Sequence, residues 1–92
     1  MAILKKECEI PSELNVKYKF DLDKEIFATI LQELEVIVNN ELQVILAGNN
    51  SYRVVNMKPI LTMDYLERNK FMLEITFETE ENMMVFALTW VD

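Results

Sequence analysis

The sequence contains no histidine, and it has only one cysteine and one glycine among 92 residues. Without imidazole it lacks the commonest general base, the commonest zinc ligand and every Ser-His-acid or Cys-His mechanism. Cys8 alone can form neither an intramolecular disulfide nor a structural zinc site. With Gly48 as the only glycine, the usual phosphate-binding loop and dinucleotide fingerprint are excluded. The sequence therefore predicts a protein that is not an enzyme and uses no cofactor or metal.

Long apolar runs are also missing. No run of consecutive apolar residues approaches the length of about 20 that a helix spanning a bilayer needs. The first nine residues contain acids and lack the extended apolar stretch of a signal peptide. The lone thiol of Cys8 fits a reducing compartment. We therefore expect a cytoplasmic protein with no membrane contact.

The charge is strongly one-sided, with 16 acidic against 9 basic residues and a net charge of −7. Such a chain is repelled by phosphate backbones and anionic lipids, so direct nucleic-acid binding is not expected. Hydrophobic residues make up 51% of the chain, which is enough for a core without metal or disulfide support. Its length fits a single domain over residues 1–92.

Two local patterns could indicate chemistry, namely a reactive thiol at Cys8 and a magnesium site between Asp21 and Glu25. Lysines precede Cys8 and favour its thiolate, but glutamates on both sides oppose this effect, so an inert, buried cysteine is the simpler interpretation. The acids between Asp21 and Glu25 have the oxygen ligands that Mg²⁺ takes. Acids are common at helix starts because the helix dipole favours them there, which is again the simpler interpretation.

The clearest helix signal follows Asp21. Asp21 or Asp23 can cap the helix, Glu25 complements its dipole, and the apolar residues that follow recur at steps of three and four. This apolar stripe comprises Ile26, Phe27, Ile30, Leu31, Leu34, Ile37 and Val38.

The end of this helix has two interpretations. Apolar residues continue the stripe to Leu46, and Gly48 can supply a left-handed cap, which gives a helix of about 25 residues. Alternatively, the helix ends at Asn39-Asn40, and residues 42–47 form a β-hairpin with residues 52–57. Periodicity alone does not separate the two cases, although we favour the long helix.

Alternating apolar residues predict the strands. Residues 71–77 show the cleanest alternation, Pro59 suggests an edge or a bulge, and residues 3–10 give only a weak strand pattern. The predicted strands cover residues 14–20, then 52–57 and 61–65 as one strand interrupted at Pro59, then 71–77 and 84–90. We therefore expect an α+β fold in which one long amphipathic helix packs on one face of an antiparallel sheet of about four strands, in the order β-α-β-β-β.

Seven acids are candidates for contact with a basic partner. The simpler interpretation is a solvated face, partly neutralised if Lys17 and Lys19 lie across the sheet from Glu74 and Glu78. The functional interpretation is an acidic docking surface. The candidate partner-binding residues are Glu33, Glu35, Glu41, Glu74, Glu78, Glu80 and Glu81.

The last predicted strand is apolar on its outer side as well as its inner side. An apolar outer face on a sheet with one helix needs a cover, which a second copy of the chain can provide. We therefore predict a homodimer. The candidate interface residues are Met72, Met83, Val85, Ala87, Thr89 and Val91.

These features favour a small acidic, non-catalytic protein-binding module. It would inhibit or modulate a larger protein with a basic surface, including a nucleic-acid-processing enzyme, since acids steer association with such surfaces. Small phage inhibitors of host enzymes have a similar bulk composition, and the analogy extends no further. The alternative is a homo-oligomeric structural or assembly subunit. A third class, a small-molecule binder that uses carboxylates or tyrosines, has weaker support.

Overall fold

The computed structural model describes residues 1–14 and 24–89. In chain order the helices and strands are β1 (Ala2–Glu9), α1 (Lys24–Ala47), β2 (Val54–Ile60), α2 (Met63–Glu67), β3 (Lys70–Phe77) and α3 (Glu80–Thr89). The predicted α+β class is therefore confirmed, as is one long helix beside an antiparallel sheet. The number and position of the strands differ from the prediction.

Within the described residues the sheet has three strands in the order β1-β3-β2, and both pairings are antiparallel. The central strand β3 alternates strictly between buried and half-buried residues. Its inner face, which was predicted from the alternation, consists of Phe71, Leu73, Ile75 and Phe77. The opposite face of β3 is not covered by a second layer of the described residues, and its side chains are half-buried.

The long helix α1 ends at Ala47, so the hairpin interpretation of residues 42–47 is wrong. Its buried residues Ile30, Leu34, Val38 and Leu42 repeat every fourth position and join the core above the sheet. Gly48 donates its N–H to the carbonyl of Val44 at 3.1 Å. The φ of Gly48 is not positive, so this residue does not adopt the predicted left-handed conformation.

Two predicted strands are helices. Residues 61–65 do not form a strand, because the Thr62 side chain accepts a hydrogen bond from the N–H of Tyr65 and caps α2. Residues 84–89 belong to α3, where the Thr79 hydroxyl accepts from the N–H of Asn82 at 3.1 Å. Acids in the first turn, Glu80 and Glu81, complement the dipole of α3.

The first strand also differs from the prediction. The weak pattern at residues 3–10 forms β1, which pairs with β3 along its full length. Leu14, predicted as the start of a strand, lies in a short helical turn and is buried in the core. The remainder of the predicted strand 14–20, and Asp21 and Asp23, lie outside the described residues.

Both larger helices cover the same face of the sheet. α1 lies against β2, and α3 contacts β1 and β3. α3 is anchored by Phe86, whose ring centroid lies 5.2 Å from that of Phe77 and 5.1 Å from that of Tyr52. Of the residues predicted to meet the helix stripe from a last strand, Leu88 is exposed and Trp90 lies outside the described residues.

Candidate functional site

The outward side of α1 exposes large apolar residues. Val36 is 60% exposed and Val44 is 70% exposed, and Ile37 beside them is 38% exposed. These three residues lie away from the buried residues of α1, and the described helical turn at Leu14 lies beside Val36 and Ile37. Residues four apart are neighbours on a helix surface, so two adjacent rows form one surface. We define the α1 surface as Glu33, Ile37 and Glu41 together with Val36, Asn40 and Val44.

From Glu25 onwards, the charged residues of α1 are all acidic. Between Glu25 and Tyr52 the chain has four acids and no lysine or arginine. Glu33 and Glu41 are eight residues apart and therefore lie on the same side of α1, within about 80°. The α1 surface thus combines exposed apolar side chains with the carboxylates of Glu33 and Glu41.

A cleft of about 490 Å³ lies beside one end of the α1 surface. Its carboxylates are Glu13 and Glu33, and its apolar walls come from both the helical turn at Leu14 and α1. This volume is in the usual range for a binding pocket. A long cationic side chain suits such a cleft, because its aliphatic stem packs on apolar walls while its charged head meets a carboxylate. Among the described residues, its lining consists of Glu13, Leu14, Gln32, Glu33, Val36 and Ile37.

The predicted acids do not form one patch. Glu35 is two residues from Glu33 and therefore points about 160° away from it around the helix. Glu74 lies on the open face of the sheet, where its carboxylate pairs with the Lys58 amine at 3.6 Å and its side chain is only 14% exposed. Lys5 is its cross-strand neighbour on β1. Lys17 and Lys19, the predicted partners, lie outside the described residues.

The other three predicted acids lie where β3 gives way to α3. Glu78, Glu80 and Glu81 are all exposed, and the last two stand in the first turn of α3. They are therefore separate from the α1 surface, since they belong to a different helix and strand end. The sequence analysis identified Glu33 and Glu41 but did not predict Glu13, Val36 or Val44 as part of a surface. Val36 and Val44 could have been found, because they fall off the apolar stripe that faces the core.

The predicted oligomer interface rested on strand alternation, which a helix does not follow. Met83 instead packs against the core, and Val85, Ala87 and Thr89 are exposed at different angles around α3. Met72 lies on the open face of the sheet, and Val91 lies outside the described residues. The exposed apolar side of α3 consists of Met84, Val85 and Leu88.

Cys8 is half-buried on the inner side of β1, and its thiol contacts the backbone carbonyl of Lys6 at 3.7 Å. Burial raises the pKa of this thiol, and the positive charges of Lys6 and Lys70 oppose the rise without cancelling it. A neutral thiol is a poor nucleophile and metal ligand. Among the described residues, no three acidic or cysteine side chains lie together in a group that could hold a metal ion.

Comparison of the chain with protein-family models, with curated proteins and with solved structures found no match in any of the three. No helix in the described ranges is long and apolar enough to cross a membrane.

Proposed function

We propose that the protein is a non-catalytic binding module that docks a basic, amphipathic segment of a larger protein on the α1 surface. The observation that carries this proposal is the exposure of Val36 and Val44 on one helix side together with Glu33 and Glu41. An amphipathic helix with lysine or arginine flanks has the matching chemistry, since such helices lay their apolar face on an apolar surface.

The cleft supports the same partner chemistry. A lysine or arginine of the partner that enters it meets Glu13 and Glu33, while leucine-type side chains bury Val36 and Ile37. The net charge of −7 steers such a partner to the protein at low ionic strength. Occupation of a basic segment would inhibit or modulate the larger protein, and a cytoplasmic nucleic-acid-processing protein is one class with such segments.

The proposal is tested with a synthetic amphipathic helical peptide of leucine and lysine, and binding is followed by fluorescence anisotropy. Glu33→Gln and Glu41→Gln should each weaken binding about fivefold, which corresponds to about 1 kcal/mol for a partly exposed charge pair. Affinity should fall as salt rises from about 0.01 to about 0.15 M, since the Debye length shortens from about 30 to about 8 Å.

Glu80→Gln and Glu81→Gln are the matched controls, because they remove the same charge from a different helix. They should leave affinity nearly unchanged. Val44→Ser should weaken binding without lowering the melting temperature, since Val44 is largely exposed. Equal losses for the α1 and α3 variants would show a nonspecific charge effect and would contradict the proposal.

A homo-oligomeric structural subunit is the second candidate, and α3 provides its support. Leu88 is 82% exposed and shares the outer side of α3 with Met84 and Val85, while Met83 and Phe86 hold the inner side. A helix that is apolar all round is normally buried. Light scattering distinguishes this candidate: Leu88→Lys should then convert an oligomer to a monomer, and a wild-type protein that is monomeric at high concentration would exclude it.

A further inference from the structure

The two edges of the sheet differ in their protection. β2 has a register shift between Val54 and Asn56 and contains Pro59, both of which hinder pairing with another strand. β1 is eight residues long, pairs with β3 without a bulge and contains no proline. Within residues 1–14 and 24–89, no strand pairs with its outer edge. A long, regular, open edge is a site for pairing with another strand.

The pairing of β1 with β3 determines the hydrogen-bond phase of β1, that is, which of its residues bond to β3 and which point to the outer edge. Ile10 donates its N–H to the carbonyl of Asn69 at 3.0 Å, and the register continues this pairing to Cys8 opposite Phe71. In an antiparallel ladder the directly bonded pairs alternate, so the even-numbered residues of β1 bond to β3. The backbone groups of the odd-numbered residues therefore point to the open edge. They belong to Ile3, Lys5, Glu7 and Glu9.

We propose that a second copy of the chain pairs with this edge, antiparallel, about a two-fold axis at Lys6. The phase allows only registers that place odd residues opposite odd residues. With the axis at Lys6, Lys5 lies opposite the partner's Glu7, and symmetry provides the same pair again on the other side. Leu4 lies opposite the partner's Cys8 in two further pairs. Opposite charges and apolar pairs placed directly across strands are stabilising.

The two neighbouring registers that also place odd residues opposite odd residues give less favourable side-chain pairs. An axis at Lys5 places Lys5 opposite its own copy and Leu4 opposite the partner's Lys6, with no opposite-charge pair in compensation. An axis at Glu7 also gives two opposite-charge pairs, Lys5 with the partner's Glu9, but it places two glutamates together, separates Leu4 from the partner's Cys8 and pairs fewer residues of the strand. The favoured register has one like-charge pair, Lys6 with the partner's Lys6, on the other face of the sheet from Lys5 and Glu7.

The resulting dimer has a continuous six-stranded sheet. β1 lies on the opposite side of β3 from β2, and α1 lies against β2. The α1 surfaces are therefore remote from the pairing edge, and this inference is independent of the proposed function.

Disulfide trapping tests the register. In a Cys8→Ala background, Lys6→Cys should form a disulfide-linked dimer under mild oxidation, because residues at the axis of a non-hydrogen-bonded pair have Cα atoms about 4.5 Å apart. Lys5→Cys in the same background is the matched control. Its two copies are offset along the strands and lie about 8 Å apart, beyond disulfide reach. The wild-type thiols are about 13 Å apart along the strand and should not link.

Sedimentation of the reduced proteins tests the charge pairs. Lys5→Glu should weaken the dimer about tenfold, and the double change Lys5→Glu with Glu7→Lys should restore it. Three results would each overturn the inference: a wild-type chain that stays monomeric at high concentration, trapping of Lys5→Cys as fast as Lys6→Cys, or dissociation by Leu88→Lys with no trapping at position 6.

Discussion

Val38 and Val44 are the same residue type on the same helix, but Val38 is 5% exposed and Val44 is 70% exposed. Val38→Ala removes buried methyl groups and leaves a cavity, so it should lower the free energy of unfolding by about 2 kcal/mol. Val44→Ala should change it by no more than about 0.5 kcal/mol. Urea unfolding of both variants measures the difference. Equal effects would show that the core side of α1 is assigned wrongly.

Cys8 gives the protein a pH dependence whose sign follows from its raised pKa. The unfolded chain ionises its thiol at lower pH than the folded chain. Stability is therefore unaffected by Cys8 below the ordinary thiol pKa, and it declines as pH rises through the higher pKa of the folded state. Cys8→Ala should remove this part of the alkaline decline. Urea midpoints for both proteins from neutral to alkaline pH measure it, and parallel curves would contradict it.

At the scale of elements, an apolar pattern with one clear period was sufficient to predict a helix or a strand, whereas a pattern that fits both periods was not. The spacing of three and four residues in α1 and the alternation in β3 each fit one kind of element, and both elements were confirmed. Ile37, which was predicted on the buried stripe, is however 38% exposed. The segment that became α3 is apolar at nearly every position from Met83 onwards, so alternate residues match a strand although the chain is helical. Its N-terminus held the deciding signal: Thr79 followed directly by two acids is typical of a helix start.

The side-chain hydrogen bonds at the N-termini of the short helices should therefore contribute measurably to stability. Thr79→Ala removes the oxygen that accepts the hydrogen bond from the N–H of Asn82. It should lower the free energy of unfolding by about 1 kcal/mol, whereas Thr79→Ser retains a hydroxyl and should cost less. Thermal unfolding followed by circular dichroism measures both variants. If serine and alanine are equally destabilising, the hydrogen bond of Thr79 does not stabilise α3.

At the scale of the molecule, charge is distributed unevenly between helix and sheet. Acids of the sheet and its adjoining turn pair with cations: Glu9 with Lys70 at 3.6 Å and Glu7 with Arg68 at 3.3 Å. From Glu25 to Ala47, by contrast, α1 contains acids and no lysine or arginine. The composition predicted an acidic surface but not its position, because the position depends on which side of α1 faces the core. It also depends on the helical turn that brings Glu13 to α1.

The two proposed surfaces make a joint prediction about stoichiometry. A two-fold axis perpendicular to the sheet places both α1 helices on the same face, each near an outer edge and clear of the β1 pairing. The dimer locked through Lys6→Cys in the Cys8→Ala background should therefore bind one leucine–lysine peptide per chain, with the affinity of the reduced protein. Isothermal titration calorimetry of locked and reduced protein measures both quantities. If the locked dimer binds one peptide per two chains, or loses affinity, then the α1 surface and the β1 edge overlap and the arrangement of the dimer is wrong.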